Sequence, residues 1–145
     1  MIRSLHTTGI WTHATGESGA YNNTMSVTDT SGAYATYTFT GSAVTLYART
    51  WNNRGEMAVY LDENLLSNVD LYTSSLIAQN AVYSTSFPYG QHTVKVEWTG
   101  ANNPSSSGTW IVLDKMTYSS TSTIDDPEFT YYRYLDTCHW RVRGL

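Results

Sequence analysis

Charge is scarce in this chain. Asp, Glu, Lys and Arg make up 14% of its 145 residues, against about a quarter in an ordinary soluble domain. The net charge is −4 and the basic residues are scattered. A phosphate-tracking surface needs clustered Lys and Arg, so a nucleic-acid partner is excluded. Cysteine is nearly absent: Cys138 stands alone, so no intrachain disulfide can form, and a chain of this length can bury a core without one. No apolar run approaches the roughly 18 residues of a membrane span, and no membrane partner is expected. Met1 to Thr8 lacks the apolar centre of a secretory leader, so the protein is either cytosolic or has lost such a segment. Helical periodicity of useful length is missing as well. What fills the space is Thr, Ser, Asn and aromatic residues, with 12 Tyr and 5 Trp.

Those residues fall into strand patterns. The most regular run is Tyr37 to Tyr72. Tyr37 to Thr40 is aromatic and β-branched, and Gly41-Ser42 breaks it. From Ala43 to Thr50, Val44, Leu46 and Ala48 alternate with Thr45, Tyr47 and Arg49. A period of two marks a strand with one buried face. Met57, Val59 and Leu61 resume the alternation, and Asp62-Glu63-Asn64 makes a tight turn before Val69 and Leu71. Four strands with short connections form an antiparallel meander. Ala33, Ala35, Tyr37 and Phe39 alternate in the same way upstream, while Val94, Val96 and Trp98 alternate downstream of a turn at Phe87-Pro88-Tyr89-Gly90. Gly100 to Gly108 is a loop by composition. Thr109 to Tyr118 is apolar on both faces and is predicted to run centrally in a sheet. About nine short strands and no helix predict an all-β, antiparallel two-sheet sandwich. Its core should hold Val44, Leu46, Val59, Leu61, Val94, Val96 and Trp98.

The domain is expected to span residues 1–118. Residues 119–145 begin as a linker and then change character, holding Cys138, His139, Trp140 and three arginines. They read as a closing strand, the start of a following domain, or appended non-native sequence.

The succession YTFTGSAVTLYA, GEMAVYLDE, SNVDLY, YGQHTVKVEWTG and GTWIVLDKMTY resembles the galactose-binding-like jelly rolls, the fold of many non-catalytic carbohydrate-binding modules attached to glycoside hydrolases. The likeness covers roughly Trp11 to Tyr118. It departs at the hairpin turn, where Asp62-Glu63-Asn64 stands in place of Asp-Gly. The resemblance implies a jelly roll that holds a polysaccharide or glycan, secreted or displayed at a cell surface, and monomeric. An adhesion or protein-interaction domain of a surface or phage-fibre protein is the alternative on the same fold. The resemblance also implies a possible structural calcium, with Asp114 on the last strand helped by Glu17 or Asp29; no other cofactor is required. Calcium wants six or more oxygens, and no sequential calcium-binding motif is present.

Sugars are held by aromatic rings against C–H faces and by planar polar groups on hydroxyls. Trp51, Asn52, Asn53 and Arg54 offer both in one loop, and Tyr21 and Asn23 repeat the composition in another. The competing reading makes Trp51 a cap on the sandwich, the asparagines turn formers and Tyr21 a core-edge residue. Tyr34, Tyr47 and Tyr60 lie on strands, where an open face could carry a polysaccharide. No paired carboxylates of a glycosidase, no Gly-x-Ser-x-Gly elbow and no zinc-spaced histidines are visible. The chain is therefore expected not to be an enzyme, although its parent could carry a separate glycoside hydrolase domain.

Overall fold

The computed structural model describes residues 11–119 and 122–132. Cys138, His139 and Trp140 lie outside the described residues. Among the described residues ten strands follow in order: β1 Thr12–Thr15, β2 Thr24–Thr28, β3 Tyr34–Thr50, β4 Glu56–Leu61, β5 Asn64–Asp70, β6 Ile77–Trp98, β7 Ile111–Leu113, β8 Lys115–Tyr118, β9 Ser122–Asp125 and β10 Thr130–Tyr132. They build two antiparallel sheets. The smaller is β1-β2-β7; the larger runs β5-β4-β6-β3-β8-β9, with β10 also paired to β3. The chain is a β-sandwich.

The core sits between the sheets, and the alternation explains it. Val44, Leu46, Val59, Leu61, Val94 and Val96 are all buried, while Trp98 packs half-buried against them. Ala33, Ala35 and Phe39 are buried too, with Tyr37 beside them. Each large apolar side chain withdrawn in this way contributes about 1.5–3 kcal/mol.

Three boundaries differ from the sequence reading. Gly41-Ser42 does not end a strand: β3 runs through it for 17 residues. Its partner β6 likewise runs through Phe87–Gly90 for 22 residues. The register shifts between Gly41↔Gly90 and Ala43↔Ser86, which leaves three residues of β6 facing one of β3. Such a bulge bends a strand pair without parting it. Pro88 falls inside the bulge, where its missing N–H costs no ladder bond. A Cβ at Gly41 would lie 2.1 Å from Ser119 Oγ, so a larger residue there would displace the hydroxyl that accepts from the Ser42 N–H at 2.7 Å.

The third difference is at Thr109 to Tyr118. The chain changes sheets at Asp114: β7 pairs with β2, and β8 pairs with β3. Apolar residues on both faces therefore mark a crossover between two sheets, not a central strand.

Residues 122–132 continue the larger sheet. β9 pairs with β8, and β10 with the start of β3. Ile124, Phe129 and Tyr131 enter the core at 5%, 0% and 0% exposure. The β4–β5 turn places Asp62 at φ 50° and Glu63 at φ 69°. Two left-handed residues give a type I′ hairpin, so the turn keeps the usual geometry without glycine.

Candidate functional site

The end of the sandwich beyond β3 carries the first candidate. Trp51 leaves β3 and is bracketed by the segment after β5: its N–H donates to the Leu71 carbonyl at 3.3 Å, and the Thr73 N–H donates to the Trp51 carbonyl at 3.2 Å. The ring stays 39% exposed. Asn52 is exposed, and its carbonyl accepts from the Ser107 N–H at 2.9 Å and Ser106 Oγ at 3.2 Å. Asn103 Nδ2 donates to Asp70 Oδ2 at 2.9 Å, while Asp70 Oδ1 accepts from the Tyr72 N–H at 2.9 Å. Three loops thus brace one another around an exposed indole. Composition marks the first of them and the polar loop holding Asn102-Asn103-Pro104; Asp70, Tyr72, Ser106 and Ser107 carry no such signal, because their proximity to Trp51 is tertiary.

Two members of that loop face inward. Arg54 is 7% exposed; its Nε donates to the Arg49 carbonyl at 3.0 Å and its Nη1 to Asn53 Oδ1. Burial, and then the Arg49 charge, lower its pKa to about 10. Arg54 is therefore no free guanidinium at the surface. Asn53 is half-buried and occupied in holding it.

Tyr21 and Asn23 lie on a different segment from Trp51. They form a 3-10 turn before β2, in which the Tyr21 N–H donates to Asp114 Oδ1 at 2.9 Å. Lys115 Nζ lies over the Tyr21 ring at 4.8 Å and over Tyr47 at 4.6 Å. Asn23 is exposed, and its left-handed backbone closes the loop onto Glu17.

Asp114 and Glu17 are not brought together as ligands. Glu17 Oε2 accepts from Arg49 Nη1 at 3.1 Å, and Arg49 Nη2 donates to the Ser18 carbonyl at 2.6 Å. Asp114 is fully buried, and its Oδ2 accepts no hydrogen bond among the described residues. One such oxygen beside a guanidinium falls far short of a calcium set. Among the described residues no three His, Cys, Asp or Glu side chains converge on a metal position. Asp29 is exposed, on the turn after β2.

The outward face of the larger sheet carries a second candidate. Tyr34, Thr36, Asp62, Glu63, Thr93 and Lys95 line a cleft of about 620 Å3. Lys95 Nζ lies 4.2 Å from the Tyr60 ring centre and 5.2 Å from that of Tyr34, and 3.6 Å from Glu97 Oε1. The outward tyrosines are thus half-buried partners of lysines. At the other end of this face the loop holding Glu17 and Ser18 covers Arg49.

No family model matches the chain. It is 42% identical over 69 residues to an "A type blood alpha-D-galactosamine galactosaminidase" of Flavonifractor plautii, covering 48% of this chain and 6% of that protein. It is 30% identical over 93 residues to an "A type blood N-acetyl-alpha-D-galactosamine deacetylase" of the same organism, covering 64% of this chain and 12% of that protein. Among solved structures, a Paenibacillus xanthan lyase superposes with a TM-score of 0.59 at 20% identity, over 79% of this chain and 12% of the lyase; that likeness is one of fold. The matches relate the chain to carbohydrate-active enzymes. They also correct the expectation that it is not an enzyme: both curated relatives are named as enzymes, and the matching stretches lie within them.

Proposed function

We propose that this domain binds a glycan at the braced loop end around Trp51. The observation that carries the reading is the exposed Trp51 ring on a backbone hydrogen-bonded on both sides. A large apolar ring kept at the surface by a rigid frame gains by covering a partner surface. A pyranose supplies such a surface in its C–H face, and its hydroxyls can bond to the Asn52 amide beside the ring. Arg54 takes no part; its role is to tie β3 to the loop from beneath. The names of the relatives make galactosamine- and N-acetylgalactosamine-bearing glycans the first ligands to try. Binding at neutral hydroxyls releases few counterions, so affinity should change little with salt. A glycan array followed by affinity gels tests the reading: retention by at least one glycan supports it. No retention by any glycan hands the fold to an adhesion role.

A further inference from the structure

The outer-face cleft is separate from the Trp51 loops, and its charges do not balance. Asp62 is engaged twice, accepting from His92 Nδ1 at 2.6 Å and from the Thr93 N–H at 2.8 Å. Lys95 is engaged by Glu97 and by the rings of Tyr34 and Tyr60. Glu63 is exposed at the rim and has no hydrogen bond or ion pair among the described residues. Its backbone, at φ 69°, sits in the two-residue turn between β4 and β5, which places the residue at the edge of the cleft. The walls add hydroxyl groups from Thr36 and Thr93. The cleft volume of about 620 Å3 lies within the range of small-molecule sites, about 300–1,000 Å3.

We propose that this cleft is a second sugar site, selective for a saccharide unit bearing a free ammonium group, which Glu63 receives while the threonine hydroxyls meet the ring hydroxyls. The proposal rests on the sugar-binding reading of the domain but not on the Trp51 loops. Lys95 does not oppose it, because its charge is already met by Glu97 at 3.6 Å. An N-acetylated unit of the same ring lacks the positive charge and loses this contact.

The test is amide chemical-shift mapping with glucosamine, N-acetylglucosamine and glucose at pH 6, on wild type, Glu63→Gln and Trp51→Ala. Gln preserves the size of the side chain and removes its charge. Expected are shifts at Thr36, Thr93 and Lys95 with glucosamine, and binding about fivefold tighter than for the N-acetyl form, as one exposed ion pair allows. That preference should vanish in Glu63→Gln, weaken with added salt and persist in Trp51→Ala. Equal response to the three sugars, an unchanged preference in Glu63→Gln, or shifts confined to the Trp51 loops would overturn the cleft proposal. Loss of glycan retention in Trp51→Ala concerns the loop site alone, so the two failures are distinguishable.

Discussion

His92 and Asp62 are joined at 2.6 Å through the Nδ1 atom, while Nε2 of the same ring faces the Pro88 carbonyl at 2.8 Å. Both neighbours are acceptors, so both ring nitrogens must carry hydrogen, and the satisfied form is the imidazolium. The ring is flanked by Phe87 at 4.5 Å and Phe39 at 6.2 Å. It thereby ties the β4–β5 turn to the bulge of β6.

The pair should titrate accordingly. The hydrogen bond to Asp62, then that to Pro88, raises the His92 pKa above 6.5; the bond from His92, then that from the Thr93 N–H, lowers the Asp62 pKa. The His92 contribution to stability is complete below about 6.5 and is lost as pH rises through the raised value. The Asp62 contribution is complete above about 3.9 and is lost as pH falls through the lowered value. An NMR titration should place the His92 midpoint above 6.5, and Asp62→Asn should bring it down. A wild-type midpoint below 6.5 would show that the two bonds do not form in solution.

A buried acid network should act in the same direction. Asp126 accepts from Ser26 Oγ at 2.5 Å and Thr24 Oγ1 at 2.7 Å, and its N–H donates to the Asp114 carbonyl at 2.9 Å. Burial pushes Asp126 to about 7 and Asp114 to about 6. The folded state therefore binds more protons than the unfolded chain between about pH 4 and pH 7, and stability falls as pH rises through that window. The melting temperature should be higher at pH 5 than at pH 7.5, and Asp126→Asn should remove most of the difference. A wild-type protein that melts lower at pH 5 would contradict this.

We propose that the segment after Tyr118 is part of the folding unit. Phe129 and Tyr131 are fully buried, Tyr131 OH donates to the Asp126 carbonyl at 2.7 Å, and the Trp11 and Tyr131 rings meet at 4.8 Å. Phe129→Ala should cost about 3–5 kcal/mol in chemical denaturation. Ending the chain at Tyr118 should abolish a cooperative transition. An unchanged melting temperature after that truncation would restore the segment to an appendage.

Much of this was legible in the chain because period-two alternation survives any tertiary arrangement. Val44, Leu46, Val94 and Val96 declare their face wherever the strand lies. The bulge at Gly41 and Pro88 was not legible, since glycine and proline also punctuate strand ends; only the partner strand shows that they lie opposite one another. The sheet change at Asp114 looked like central burial, because both produce apolar residues on two faces. At the loop end, composition pointed to Trp51 and Asn52. It could not reveal that Arg54 turns inward, because an arginine that finds the Arg49 carbonyl and Asn53 has the same sequence signature as a surface one. The outward face itself was legible through Tyr34 and Tyr60, but not that Glu63 and Lys95 line one cleft on it, because they are far apart in sequence and only strand pairing brings them to the same place.

Trp51 offers the most direct test of the proposed glycan site. The measurement is titration of wild type and Trp51→Ala against whichever glycan the wild type retains, with melting curves run on the same samples. Both proteins should melt alike, since the ring is 39% exposed. Trp51→Ala should bind at least about tenfold more weakly, the loss of one stacking contact plus its apolar area, worth about 1.5 kcal/mol or more. Asn53→Ala should act through stability, by releasing Arg54. Equal affinity of wild type and Trp51→Ala, with both folded, would contradict the account and move the sugar to another surface.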